Sequence, residues 1–145
     1  MNHLAQDKYG KDYYWVDYSP GCLSEFPWPD AQFDCGVFIH ASAGDEEVEQ
    51  CIREILQKDN QWVITFGKRA EYWHDQVDRL SLEANRQDQL GDGDPMTAWW
   101  DDVATVEDLE WGHCNFGPNP FLFIFVGSCE DPKEVEPLRR KVADW

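Results

Sequence analysis

Four short polar stretches follow apolar runs of the chain, and they carry the side chains best suited to chemistry. They are His40-Ala41-Ser42, Gly67-Lys68-Arg69, Asp101-Asp102 and Gly127-Ser128-Cys129. If the apolar runs are parallel strands, these stretches lie at the carboxyl ends, where ligands bind in open α/β sheets. A histidine, two bases and carboxylates there would suit acid–base catalysis or phosphate binding. His40, Lys68, Arg69 and Asp101 are therefore the candidate catalytic residues. The alternative is that these polar residues only form the turns that follow the strands.

Recognisable catalytic, metal and nucleotide motifs are missing from the sequence. The acidic stretch 91–94 (GDGD) is not followed by the Gly-Lys-Ser/Thr of a P-loop, and it lacks the spaced ligands and closing Glu of a calcium loop. The pairs His74-Asp75 and His113-Cys114 do not have zinc-ligand spacing, and no GxSxG motif is present. We therefore predict no metal and no cofactor.

The charge of the chain is strongly asymmetric. Its 145 residues contain 29 acids and 12 bases, for a formal net charge of −17, and Lys and Arg are absent between Lys11 and Arg53 and between Arg86 and Lys133. An acidic surface with aromatic anchors suits a basic protein partner, whereas nucleic acid and anionic membranes are repelled. The predicted partner-binding residues cluster in residues 88–111: Asp92, Asp94, Trp100, Asp101, Asp102, Glu107, Asp108, Glu110 and Trp111.

Hydrophobic periodicity predicts strands that alternate with helices. Val48, Cys51, Ile52, Ile55 and Leu56 recur with helical spacing after Asp45, and a second helix is expected from about Glu71 to Arg86. A short helix at 105–113 and a last helix starting near Ser128 or Asp131 complete the set. The predicted strands are Cys35–Ala41, Trp62–Phe66, Pro95–Trp100 and Phe121–Gly127. This alternation predicts a three-layer αβα sandwich with a four-stranded, mainly parallel sheet in the order 2-1-3-4.

The first part of the chain has a different character. Residues 1–34 combine crowded aromatic side chains with Pro and Gly, and they predict an irregular arm, with one short strand at 13–16, packed on a single α/β domain of residues 35–145. The start of the chain does not have the pattern of a signal peptide, and its longest apolar run, 121–126, is too short to span a bilayer. The five cysteines are odd in number and lack a CxxC motif, which favours free thiols and a cytoplasmic location.

Two segments resemble the signatures of a known family. Residues 67–83 contain Gly67-Lys68, then Trp73, Asp75, Val77-Asp78 and Leu82-Glu83, and they are similar to a GK…WxDxVD…LE signature. Residues 95–102 (PMTAWWDD), with Trp111 downstream, resemble an MTxWH followed by two acids and a later Trp. Both signatures belong, in this order, to a family of short acidic bacterial proteins classified as a domain of unknown function. The resemblance implies a bacterial source and an α/β domain, and it implies no reaction. Trp100 stands where that family often has His, which argues against catalysis.

These observations favour a non-catalytic acidic binding protein. The size, acidity, surplus of aromatic residues and lack of a catalytic signature are typical of an immunity or antitoxin-like protein that neutralises a basic toxin. The alternative is a small enzyme or nucleotide-binding domain that uses the carboxyl ends of the strands. In either case we expect no direct binding of nucleic acid and no membrane association.

Overall fold

A computed structural model gives the architecture of the chain and describes residues 2–25, 33–58, 60, 62–86, 96–99, 119–127 and 135–145. The described part contains six strands, three α-helices and a short 3-10 helix at Cys22–Glu25. In chain order the elements are β1 (Asn2–Gln6), β2 (Asp12–Asp17), β3 (Asp34–Ile39), α1 (Asp45–Leu56), β4 (Trp62–Gly67), α2 (Ala70–Arg86), β5 (Met96–Trp99), β6 (Phe121–Val126) and α3 (Val135–Asp144). The α/β class is therefore confirmed. The short helix predicted at 105–113 lies outside the described residues.

The strands form one sheet in the order β1-β2-β6-β3-β4-β5. The four pairs from β2 to β5 are parallel, and among the described strands only β1 runs antiparallel to its neighbour. All four predicted strands are present, but the sheet has six strands instead of four. The predicted order 2-1-3-4 is wrong, because β6, rather than β5, lies beside β3. β6 is apolar at every position and buried at every position, so a central place covered on both faces suits it. The short β5, with Trp99 exposed, lies beyond β4 instead.

The N-terminal stretch predicted as an irregular arm supplies two strands of the same sheet. Tyr13 is fully buried, and its ring packs on Phe121 and Phe123 of β6 and on Trp145 after α3. The short strand expected at 13–16 is therefore present, but it is part of a hairpin. A turn between β1 and β2 is held by Asp7, whose Oδ1 accepts the N–H groups of Tyr9 and Lys11. Aromatic side chains on both faces of β2 conceal the alternation that usually marks a strand.

The helices cover opposite faces of the sheet. Val48, Ile52 and Ile55 of α1 pack with Trp73 and Val77 of α2 over one face, and this confirms the apolar stripe predicted for α1. The second predicted helix is also present, as α2. On the other face, Leu138 and Val142 of α3 pack over the phenylalanines of β6 together with Phe38 and Phe66. Two hydrophobic cores of this kind account for the burial of β3 and β6 on both sides. Within the described residues, none of the helices combines the length and apolar character needed to cross a bilayer.

The cysteines within the described residues are free thiols. Cys35 and Cys51 are buried in the core that α1 and α2 cover, and Cys22 packs against that core. Burial raises the pKa of the Cys35 and Cys51 thiols well above the ordinary value. Cys114 and Cys129 lie outside the described residues.

Thiol titration tests the assignment for all five cysteines. We expect five reactive groups in denatured, unreduced protein, because no pair shows disulfide-framework spacing. In native protein, Cys35 and Cys51 should react far more slowly than in the denatured chain, since thiolate formation is disfavoured by burial. Three or fewer groups in the denatured sample would show a disulfide and contradict the prediction.

Candidate functional site

The carboxyl ends of β3, β4 and β6 meet closely, as the strand-end prediction requires. Gly67 ends β4 with φ +88°, and a Cβ on it would collide with the carbonyl oxygen of Ile39. Gly127, after β6, has φ +83°, and a Cβ there would lie 2.7 Å from Ala43. Only glycine combines this backbone conformation with so close an approach. The two glycines thus bring the segments after three neighbouring strands into contact.

The two predicted bases at this edge are engaged in local contacts. The ammonium group of Lys68 donates to the carbonyl oxygen of Ala41 at 3.0 Å and so joins the segments that follow β4 and β3. Nη1 of Arg69 lies 3.0 Å from both carboxylate oxygens of Asp45, in the first turn of α1. The same guanidinium stacks on the ring of Tyr72 with its carbon 4.1 Å from the ring centroid. Both side chains therefore secure the turns around the strand ends.

His40 and Ser42 also take part in closing the turn after β3. The backbone N–H of His40 donates to the Val126 carbonyl, and the His40 carbonyl accepts the N–H of Ala43. The Ser42 hydroxyl donates to the Gly127 carbonyl at 2.6 Å. The structure thus places His40, Lys68 and Arg69 after neighbouring strands, as predicted, while the fourth candidate, Asp101, lies outside the described residues.

The amino end of α1 has the wrong charge for a phosphate site. It follows β3 directly, where helix dipoles bind anions in many α/β proteins. Here its first turn contains Asp45, Glu46 and Glu47. These three carboxylates already complement the dipole and would repel a phosphate group. No group of three or more His, Cys, Asp or Glu among the described residues is placed to hold a metal ion.

A different surface combines carboxylates with an exposed aromatic ring. Glu71, Asp75 and Asp78 recur along α2 with helical spacing, and all three are exposed. Trp99 of β5 is 40% exposed, and strand alternation places it on the same face of the sheet as Thr97, which contacts α2. We refer to Glu71, Asp75, Asp78 and Trp99 as the α2–β5 face. Within the described part of the chain, none of its carboxylates pairs with Lys or Arg.

The other side of α2 is charge-compensated. Arg53 contacts Glu49 and Glu83 at 2.9 and 3.8 Å, and Arg79 contacts Glu83 and Glu49 at 3.5 and 4.0 Å. These four residues alternate in sign and link α1 to α2. The negative charge of α2 is therefore concentrated on the α2–β5 face.

All nine residues predicted to bind a partner lie outside the described residues. Their connections along the chain are nevertheless clear, since residues 87–95 join α2 to β5 and residues 100–118 follow β5. Both segments therefore begin or end at the elements that form the α2–β5 face. The residues concerned are Asp92, Asp94, Trp100, Asp101, Asp102, Glu107, Asp108, Glu110 and Trp111.

One polar network at this face was not expected from the sequence. The Thr97 hydroxyl lies 2.9 Å from Oδ1 of Asp78 and 3.0 Å from Nε2 of His74, whose Nδ1 lies 3.1 Å from Oδ1 of Asp75. His74 and Asp75 are neighbours in the sequence, but they lack zinc-ligand spacing, and no sequence signal links them to Thr97. The network joins α2 to β5 through side chains that are 23 residues apart.

A second unexpected cluster lies at the opposite, amino end of the sheet. Asp34 is fully buried, and its Oδ1 accepts the N–H of Trp62, while Asp7 is nearly buried and accepts the Tyr13 hydroxyl at 3.3 Å. Burial lowers the pKa of the Lys11 ammonium, and the negative charges of Asp34 and Asp7 act in the opposite direction. Lys11 is therefore the cation that offsets two buried carboxylates, and we assign the cluster a structural role.

Two buried tyrosines make stability sensitive to alkaline pH. Burial raises the pKa of Tyr13, assisted by Asp7, and burial with the hydrogen bond to Glu54 raises the pKa of Tyr18. Above about pH 10 the folded chain therefore retains protons that the unfolded chain releases, so stability falls by about 1.4 kcal/mol per pH unit for each such group. The lowered pKa of Lys11 makes stability rise with pH, but only below the ordinary lysine pKa of 10.5. This is the effect of a single group, whereas two tyrosines act in the other direction.

Denaturation from pH 8 to pH 12 with tyrosine absorbance tests this. Tyr13 and Tyr18 should ionise only as the protein unfolds, and Tyr18→Phe should make the loss of stability with pH less steep. Ionisation of all five tyrosines with one midpoint near pH 10, while the protein stays folded by circular dichroism, would contradict the assignment.

Comparison with known proteins identifies a family. A family model with the description "Domain of unknown function (DUF7684)" matches residues 13–113, from β2 through β5 and beyond. No curated protein and no solved structure matches the chain.

Proposed function

We propose that this chain, which belongs to the DUF7684 family, is a non-catalytic binding protein for a basic protein partner. The observation that carries the proposal is the α2–β5 face. Exposed Trp99 lies there two residues after Thr97, which contacts Asp78, and within the described residues no Lys or Arg pairs with the carboxylates of the face. An aromatic side chain provides a large rigid contact, and uncompensated carboxylates attract a basic surface. An immunity or antitoxin-like role against a basic toxin, a bacterial source and a cytoplasmic location belong to the same proposal.

The acidic segments on either side of β5 support this assignment. They contain the nine predicted partner-binding residues, and they begin or end at α2 and β5. Charges of one sign on adjoining segments add to the potential that steers a basic partner toward the surface. The proposed interface therefore consists of the α2–β5 face together with the acids of residues 88–110.

The strand ends support the alternative, a small enzyme or nucleotide-binding domain, less well. The observation in favour of this alternative is that His40, Lys68 and Arg69 follow adjacent strands. However, Lys68 and Arg69 already contact Ala41 and Asp45, and the first turn of α1 is acidic. The alternative predicts that ATP or inorganic phosphate binds to the protein and that Lys68→Ala with Arg69→Ala abolishes that binding.

Partner recovery tests the leading proposal. A pull-down from the native host at low salt should recover a basic protein, and reversal of Asp101, Asp102 and Asp108 to Lys should abolish its recovery. The control reverses Asp17, Glu46 and Asp144, three exposed acids outside the proposed interface, with the same change in net charge. If the partner is a toxin, co-expression with the wild-type chain should restore growth, and co-expression with the first variant should not. Equal recovery by both variants would show that the acids of residues 101–108 are only a solvated surface.

A further inference from the structure

The contacts around Thr97 set a requirement for protons. A threonine hydroxyl has one hydrogen to donate, and an ionised carboxylate can only accept. The Thr97 hydroxyl donates to Asp78 Oδ1 at 2.9 Å, so its contact with His74 Nε2 at 3.0 Å is a hydrogen bond only if that nitrogen carries a hydrogen. Nδ1 of the same ring lies 3.1 Å from Asp75 Oδ1, and this contact needs a second hydrogen on the ring. All three hydrogen bonds exist together only with the imidazolium form of His74.

A neutral ring leaves the network incomplete. If the neutral ring keeps its hydrogen on Nδ1 for Asp75, Nε2 can only accept, and the Thr97 hydroxyl must choose between His74 and Asp78. If the hydrogen moves to Nε2, the contact with Asp75 is lost instead. In both cases deprotonation costs one hydrogen bond at or beside the junction of α2 and β5.

The charged groups near His74 on α2 are carboxylates. They are Glu71, Asp75 and Asp78, placed one turn before, directly after and one turn after it. β4 and β5, which pack against α2, contain no titratable side chain. The charged groups of α1 that face α2, Glu49 and Arg53, are engaged with Arg79 and Glu83. Among the described elements, therefore, no base competes with the imidazolium for these carboxylates.

We propose that His74 is a proton-dependent latch that fastens β5 to α2. When the ring is protonated, all three hydrogen bonds of the network form. When it is neutral, either Thr97 loses one of its two bonds to α2 or the His74 ring loses the bond to Asp75 that orients it toward Thr97. β5 is the element on which such a loss has the greatest effect, because it has four residues and its ladder partner in the described part of the chain is β4 alone. Local opening of a short edge strand requires the loss of few other contacts.

The latch extends to the proposed partner surface, and this step rests on the proposed function. Trp99 lies two residues after Thr97 on the same face of β5, so the latch holds the strand that carries the aromatic anchor. A lower pH would therefore fix Trp99 in place, while the proton on His74 would offset one negative charge of the α2–β5 face. The latch itself depends only on the contacts of Thr97.

Amide hydrogen exchange of the free protein tests the latch directly. Protection factors of the β5 amides that bond to β4 are compared between about pH 5.5 and pH 8, the range over which an imidazole changes charge. We expect them to fall about three- to tenfold as the pH rises, which corresponds to one ordinary hydrogen bond. The β3 amides report global opening and provide the internal reference. Protection of β5 that does not change with pH relative to β3 would overturn the proposal.

Three variants identify the residue responsible. His74→Gln can donate to Thr97 at every pH and Thr97→Val can form neither bond, so both should abolish the pH dependence. His3→Gln, in the pair with Asp12 on β1 and β2, should leave it intact. Persistence of the pH dependence in His74→Gln would overturn the latch, and if that variant does not fold, the wild-type series and Thr97→Val decide. Binding of the wild-type chain to the basic protein recovered from the host is measured separately. Failure to bind any basic protein contradicts the proposed function alone. Binding that does not change with pH contradicts only the link to Trp99.

Discussion

Replacement of Asp34 by Ala should destabilise the protein by about 3 kcal/mol or more, because removal of one member of a buried charged group leaves the other uncompensated. Asp34 is fully buried at the start of β3, and its carboxylate accepts the backbone N–H of Trp62 at the start of β4. Alanine would leave that N–H without its acceptor and would deprive Lys11 of one of its two counterions. The loss is a large part of the 5–15 kcal/mol that stabilises a typical domain.

Chemical denaturation of the variants separates the contribution of the hydrogen bond to Trp62 from that of the negative charge of Asp34. Asp34→Asn keeps an oxygen that can accept the Trp62 N–H and removes only the charge, so its destabilisation should be smaller than that of Asp34→Ala. Asp12→Ala, at a partly exposed carboxylate paired with His3, is the control and should cost less than about 1 kcal/mol. A loss of less than about 1 kcal/mol in Asp34→Ala would contradict the role assigned to the amino-end cluster.

The helices and central strands were accessible from the sequence because their signals are local. The spacing of Val48, Cys51 and Ile55 predicts α1 within its observed bounds, and the apolar run 121–126 predicts β6. The order of the strands depends on contacts between distant segments. The continuous apolar character of β6 indicates a strand covered on both faces, but it does not specify β3 and β2 as its neighbours.

The hairpin at the N-terminus was missed for a physical reason. Tyr13 packs on one face of the sheet and Val16 on the other, while Tyr14 and Trp15 are partly buried between them. With large apolar groups on both faces, the sequence lacks the polar alternation of a half-buried strand. Pro20 and Gly21, just after β2, strengthen the impression of irregular structure.

For the candidate sites, too, local sequence signals predicted the placement of residues but not their contacts. That His40 and Lys68 follow adjacent strands could be predicted from the βαβ pattern, and it is correct. Their contacts with Val126 and Ala41 could not, because they depend on the backbone geometry at Gly67 and Gly127, which have positive φ. The bond between His74 and Thr97 likewise depends on the pairing of β5 with β4, which brings the strand beside α2.

Neutralisation of the α2–β5 face should slow association with the proposed basic partner. In Asp75→Asn with Asp78→Asn, the amide oxygens can still accept from His74 and Thr97, so the fold and the local hydrogen bonds are retained. Two negative charges are lost from the face, and we expect the association rate at low salt to fall about threefold to tenfold, since steering depends on the summed potential. Trp99→Ala should act mainly on dissociation, because a buried aromatic anchor stabilises the complex once formed.

The most direct test is the association rate of the recovered partner with three proteins over a range of salt concentrations. They are the wild type, Asp75→Asn with Asp78→Asn, and the control Glu46→Gln with Asp144→Asn, which loses the same charge from exposed positions on α1 and α3. We predict that the wild type and the control associate at similar rates, that the face variant associates more slowly, and that the difference disappears near 1 M salt, where the Debye length is about 3 Å. Equal rates for the two variants at low salt would contradict the claim that the α2–β5 face binds a basic protein.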